Sequence, residues 1–166
     1  TGKTTLFNLI SGFLDADEGD FLFNNGSTVK LNGMPPHKRE QLGIGRMFQK
    51  NHVFPELSLF DNLLVAYEDD FGELPLEIIF RPKKWRNIEK QREKRARDIL
   101  DMPYALENKF WKRRNQLAKN LSYGEQRLLS LIRLFMSDYK LVLLDEPTAG
   151  LNPILNDTIA EIIKKM

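Results

Sequence analysis

Three features of the sequence predict an α/β fold with a partial, mostly parallel sheet. The run Leu141-Val142-Leu143-Leu144 is apolar at every position, as a parallel strand covered on both faces requires. Asn25-Gly26 separates two short runs of strand-forming residues, which marks a small antiparallel hairpin. Stretches of helical period stand before, between and after these strands, the alternation expected of an α/β domain.

The elements follow in order. Leu6, Phe7, Leu9, Ile10, Phe13 and Leu14 recur at helical spacing, so a helix from Thr4 to about Phe13 with one buried side is expected. The hairpin strands are expected at Phe21–Phe23 and Thr28–Leu31. Pro35-Pro36 introduces a short polar helix, and Ile44–Phe48 reads as a strand. Ser58 with Asp61 looks like an N-cap and first-turn acid, opening a helix through Leu63, Leu64 and Ala66. Asp69–Pro82 has no clean period and reads as a loop. Trp85–Met102 reads as a highly charged helix whose few apolar positions, Trp85, Ile88, Ala96, Ile99 and Leu100, give only a thin buried stripe. Ser122 caps a helix through Phe135, Leu141–Leu144 is the buried strand, and a last helix runs from about Pro153 to the end.

The 166 residues suffice for one sizeable core, and 42% hydrophobic with 29% charged residues describes a globular chain rather than a disordered one. The absence of cysteine excludes disulfides and thiolate metal sites. No apolar stretch approaches the roughly 20 residues that cross a bilayer, and no signal-peptide pattern opens the sequence. Any membrane role is expected to be peripheral. Of the 25 Lys/Arg, 14 lie between Arg81 and Lys119, against 5 of the 23 Asp/Glu. That block faces either solvent, as long side chains on a helix do, or an acidic partner.

Three segments carry chemistry. Gly2-Lys3-Thr4-Thr5 matches the close of the pattern G-x-x-x-x-G-K-[ST], in which loop amides and a helix N-terminus meet phosphates and Lys adds a point charge. The hydroxyl of Thr4 is then a Mg²⁺ ligand. Alone, these residues read as a helix cap; followed by an apolar-faced helix, they gain weight from the rest. Asp145 and Glu146 end the apolar strand, at the carboxyl edge where α/β folds place ligands. One carboxylate there suits the water shell of Mg²⁺, and its neighbour, on the other side, can polarise an attacking water. Ser122 and Gly124 open a helix whose free amides favour an anion.

Leu121-Ser122-Tyr123-Gly124-Glu125-Gln126, Leu144-Asp145-Glu146-Pro147-Thr148 and Gly2-Lys3-Thr4-Thr5 together resemble the ATP-binding cassette (ABC) ATPases over nearly the whole chain. The resemblance implies a P-loop NTPase core of residues 1–57 and 136–166, with a helical subdomain at about 58–135 inserted into it. It also implies ATP and Mg²⁺ as ligands. Asp145 becomes the Mg²⁺-associated acid and Glu146 the general base. Gln49 resembles the glutamine that reaches Mg²⁺ and the attacking water, and residues 51–57 become the contact with a membrane subunit. Ser122, Gly124 and Gln126 belong to a signature that closes over ATP held by the opposite subunit, with Tyr123 where glycine is usual. Asn152 stands where a cross-dimer Asp is common.

The implied partners are a second ATP-binding subunit, identical or not, and integral membrane permease subunits, at the cytoplasmic face of the membrane. Phe48-Gln49, Phe54-Pro55-Glu56-Leu57, Leu121–Gly124 and Ala149–Pro153 look like the ATPases of branched-chain amino-acid importers. The alternative is a soluble ABC module meeting nucleic acid through residues 81–119, a block with few aromatics for base stacking. The family's adenine-stacking aromatic and switch histidine have no counterpart in the sequence. The chain is therefore expected to be truncated at both ends, and to bind ATP weakly and hydrolyse it negligibly by itself. Neither His37 nor His52 looks like a metal ligand.

Overall fold

The computed structural model describes residues 2–47, 53–67, 82–100, 109–149, 151 and 153–165. They group into two compact units, Thr1–Lys50 with Asp138–Pro147, and Asn51–Ser137 with Thr148–Met166.

The first unit holds helix α1 (Lys3–Ser11), strands β1 (Leu22–Asn24) and β2 (Thr28–Lys30), helix α2 (Pro36–Gln41), and strands β3 (Ile44–Met47) and β4 (Leu141–Leu144). Left-handed glycines bound α1, Gly2 at φ 95° and Gly12 at φ 81°, a backbone that costs glycine nothing because it has no Cβ. Pro36 begins α2, where its missing N–H has no helical acceptor to lose. β3 and β4 pair in parallel, from Ile44 opposite Leu141 to Met47 opposite Leu144. Leu31, Ile44 and Leu143 form the buried centre, with Phe7, Ile10, Phe23 and Met34 packed against it. At Gly45 a Cβ would lie 2.4 Å from the Tyr139 ring, so only hydrogen fits beneath that ring.

Three expectations shift. Asn24 pairs with Thr28, so the hairpin loop is Asn25-Gly26-Ser27 with Gly26 at φ 84°, and β1 begins one residue late. Phe21 keeps a place beside the ladder: its N–H donates to Asn32 Oδ1 at 2.8 Å and its carbonyl accepts from Leu31 at 2.8 Å. The apolar stripe of α1 is not covered along its length, since Leu6 is 47% exposed and Phe13 54%. β4 is buried only at Leu143, with Leu141, Val142 and Leu144 half-buried. Uniform apolarity permits cover on both faces but does not supply it.

The second unit contains α3 (Leu59–Val65), α4 (Pro82–Leu100), α5 (Lys109–Lys112), α6 (Tyr123–Arg133) and α7 (Pro153–Lys165), with single 3-10 turns at Ala118–Asn120 and Leu134–Met136. Helix α6 ends at Arg133, and the 3-10 turn carries the remaining residues expected in it. Leu59, Leu63, Leu128, Leu129, Leu131 and Ile159 are completely buried. Of the expected stripe, α4 buries Ala96, Ile99 and Leu100, while Ile88 is only half-buried. The helix begins at Pro82, and its expected end at Met102 lies outside the described residues, as does the loop at 69–81. Residues 55–60 are tied to 114–119 by backbone hydrogen bonds, among them Ala118 N–H to the Leu57 carbonyl at 2.9 Å and Leu59 N–H to the Gln116 carbonyl at 3.0 Å. That pairing, and the seating of α7 on α6, group residues 51–57 and 148–166 with the helices.

Candidate nucleotide site

The first turn of α1 presents Lys3, Thr4 and Thr5, all exposed, behind Gly2. Its leading amides have no intrahelical acceptor and carry the positive end of the helix dipole. Gly2 therefore turns the chain into a helix start shaped for an anion.

In the same unit, β4 delivers the two acids. Asp145 is buried and Glu146 exposed, so adjacent carboxylates occupy different environments. Glu146 is the single non-glycine residue with positive φ among the described residues, at 48°. It also precedes Pro147, which further restricts its backbone. Such a conformation costs about 1–3 kcal/mol and persists where the surroundings impose it, often at working sites.

Arg46 of β3 joins the helix to the acids. Its Nη1 donates to Asn8 Oδ1 at 2.8 Å and to Ser11 Oγ at 3.2 Å. Burial pulls its guanidinium below the ordinary value, and Asp145 partly opposes that. Thr4, Asn8 and Ser11 share one helix face. Arg46 thus holds the face that begins with Thr4 in a fixed phase while acting electrostatically on Asp145. A hydroxyl and one sheltered carboxylate, completed by phosphate oxygens and water, is a donor set that suits Mg²⁺. Among the described residues no group of three or more His, Cys, Asp or Glu could enclose a metal, so substrate oxygens would have to finish the shell. Gln49 lies outside the described residues.

The Leu121–Gln126 segment opens α6 in the other unit. Ser122 Oγ accepts from the Glu125 N–H at 3.3 Å, and Glu125 Oε2 accepts from the Ser122 N–H at 2.9 Å, a reciprocal capping box. Gln126 turns inward: its Nε2 donates to the carbonyls of Leu121 at 3.2 Å and Ala118 at 3.3 Å. Gly124 is buried, and a Cβ there would stand 2.4 Å from Leu155 Cδ1, so it lets α6 lie close to α7. Ser122 and Tyr123 are the exposed members of the segment. Asn152 lies outside the described residues.

Burial pushes the Glu125 carboxyl up, but hydrogen bonds from Arg113 and Ser122 and the charge of Arg113 outweigh it, holding the group below its ordinary value. A lowered carboxyl contributes stability above its unfolded value of about 4.3 and loses it as pH falls through the folded one. Glu125→Gln keeps the cap but loses the charged partner of Arg113, and is therefore expected to cost about 1 kcal/mol at pH 7. The gap from the parent should narrow as pH falls from about 4.3 through the lowered folded value, as thermal unfolding at neutral and acid pH will show.

Two functional supports escaped the sequence reading. Asn62, completely buried, accepts from the Phe54 N–H at 2.8 Å and donates to the carbonyls of Phe54 at 3.0 Å, Leu57 at 3.3 Å and Ser58 at 2.9 Å. Arg39, 2% exposed, grips the end of α1. A buried Asn or Arg amid polar neighbours has no sequence pattern of its own.

Part of the basic block is used within the chain. Arg92 lies over Tyr67, and Arg97 and Arg114 lie 5.1 Å and 4.6 Å from the centre of the Trp111 ring. Arg95 donates to the Phe135 carbonyl at 2.7 Å, Arg113 pairs with Glu125 and Lys119 with Glu56. Glu89, Glu93 and Asp98 share the exposed surface of α4 with Arg86, Lys90 and Lys94.

A glycine-led helix start and a strand-end acid pair within one α/β unit are the arrangement of a P-loop nucleotide-binding domain. Residues 1–149 match the ABC transporter family, and the chain belongs to it. It is 35% identical over 161 residues to the probable branched-chain amino acid transport ATP-binding protein LivG of Archaeoglobus fulgidus, covering 97% of this chain and 58% of that protein. To the high-affinity branched-chain amino acid transport ATP-binding protein BraF of Pseudomonas aeruginosa it is 33% identical over 165 residues, covering 99% and 62%. The crystal structure of the ADP conformation of an ATP-binding cassette of an ABC transporter shares the fold, with TM-score 0.72 and 34% identity over 99% of this chain and 61% of that one. The chain thus spans about three fifths of the length of these relatives.

Proposed function

We propose that this chain belongs to the ATP-binding and ATP-hydrolysing subunit of an ABC importer for branched-chain amino acids. The observation that carries the reading is the split pair at the end of β4: Asp145 buried, Glu146 exposed on strained backbone. Gly2, Lys3, Thr4 and Thr5 bind the phosphates; Thr4, Asp145 and Gln49 hold Mg²⁺, which when bound neutralises phosphate charge. Glu146, with Gln49, orients and deprotonates the attacking water. Ser122, Gly124, Gln126 and Asn152 act on ATP of a second ATP-binding subunit. Residues 51–57 meet the permease at the cytoplasmic face of the membrane, and the core of 1–57 and 136–166 carries the helical subdomain of 58–135. No described helix is long and apolar enough to cross a membrane, which suits attachment through separate subunits. The substrate class rests on the names of the similar proteins.

The test is calorimetry of Mg-ATP binding to the complete gene product. Lys3→Met should weaken binding at least tenfold with the fold retained by circular dichroism. Equal affinity of the variant and parent would remove Lys3 from the site.

A further inference from the structure

We propose that Arg113 is a positioning residue for the Leu121–Gln126 segment, neutralising the capping acid Glu125 so that this helix start can face a polyphosphate. This rests on the reading that the segment closes over ATP of a second subunit.

The segment has a built-in conflict. Its cap depends on a carboxylate, because Glu125 Oε2 accepts from the Ser122 N–H at 2.9 Å. Yet a carboxylate one turn from an anion repels it, and partial shelter from water strengthens the repulsion. Arg113 resolves the conflict: its Nη1 donates to the other oxygen, Glu125 Oε1, at 2.5 Å. The pair is sheltered, with side chains 34% and 18% exposed. The same guanidinium donates through Nε to Gln116 Oε1 at 2.7 Å, and Gln116 Nε2 donates to the Asn120 carbonyl at 3.1 Å. Two hydrogen-bonded routes thus run from Arg113 to either side of Leu121, one to Ser122 and one to Asn120. The planar fork of arginine serves both at once, which an ammonium cannot do. Arg113 is also part of the basic block, so one residue of that block acquires a defined task.

The experiment compares the complete gene product with its Arg113→Ala, Arg113→Lys and Arg113→Ala/Glu125→Gln forms. ATP-dependent dimerisation is measured by sedimentation, beside ATP affinity of the monomer. Monomer affinity should stay within twofold throughout. Arg113→Ala should raise the ATP concentration needed for dimers at least tenfold. The double variant should return to within threefold, since glutamine keeps the cap without the charge, and Arg113→Lys should dimerise within threefold of the parent. Normal dimerisation of Arg113→Ala would overturn the proposal. So would a double variant as defective as the single one, which would make the role one of packing alone. A parent that does not dimerise with ATP would overturn the two-subunit reading and this proposal with it.

Discussion

Glutamine at position 146 is expected to lower ATP turnover by the complete gene product a hundredfold or more, the scale of a lost general base. ATP should still bind, and ATP-bound dimers should accumulate. The proposed base is Glu146 rather than Asp145. Glu146 is exposed where β4 ends, whereas Asp145 is buried and engaged with the charge of Arg46. The backbone offers a second, independent measurement. At φ 48° a side chain pays about 1–2 kcal/mol that glycine does not. Glu146→Gly should therefore unfold at higher urea than the parent while losing turnover as completely as Glu146→Gln. Loss of stability in the glycine variant would show that the left-handed backbone is not strained. Unchanged turnover in the glutamine variant would remove Glu146 from catalysis.

Arg39→Met should destabilise the protein by about 3 kcal/mol or more, because hydrogen bonds from a charged donor carry about 1.5–3 kcal/mol each. The guanidinium lies over the last turn of α1. Nη1 donates to the carbonyls of Leu9 at 2.5 Å and Ile10 at 2.9 Å, and Nε donates to that of Met34 at 2.8 Å. Burial lowers its affinity for the proton, with Asp15 opposing, and an arginine stays charged regardless. The positive group therefore meets the negative end of the same helix whose opposite end is shaped for phosphate. Gly12 belongs to this arrangement, since a Cβ there would stand 2.8 Å from Arg39 Nε and 2.9 Å from the Met34 carbonyl. Methionine fills the space but leaves those carbonyls without the donor. Arg39→Lys should recover less than half the loss, because one ammonium cannot reproduce the fork. Urea midpoints at constant slope will decide it, and a loss under 1 kcal/mol would mean that water replaces the guanidinium.

Local chemistry was the legible part. Ser58, Ser122 and Glu125 announce their caps within three residues, and the hydrogen bonds found are those that spacing demands. The positions of Gly2–Thr5 at the start of α1 and of Asp145 and Glu146 just past β4 are likewise readable, because the period of each element is plain. What periodicity cannot say is what lies against a face. Leu6, Phe13 and Leu14 share a stripe on paper yet stay open to solvent, while Ser11 on the same helix is buried against Arg46. Contacts between distant residues were equally hidden. Arg39 reaches back 29 and 30 residues to Ile10 and Leu9, and Arg113 reaches Glu125 across 12. The sequence shows these arginines as surplus charge, and only the fold brings each to its acceptor. Gln126 adds a contact that no local pattern shows: its Nε2 donates to the carbonyls of Ala118 and Leu121 in the loop that precedes it.

Asn62 has a mechanical consequence. One side chain, itself on α3, fastens Phe54, Leu57 and Ser58 at four atoms, and Lys119 and Ala118 hold Pro55 and Leu57 from the other side. A loop tethered so densely has few soft torsions left. Its stiffness then approaches that of the helix it leads into. Force applied at the exposed Phe54 ring would travel into α3 as displacement, where an untethered loop would dissipate it as conformational entropy.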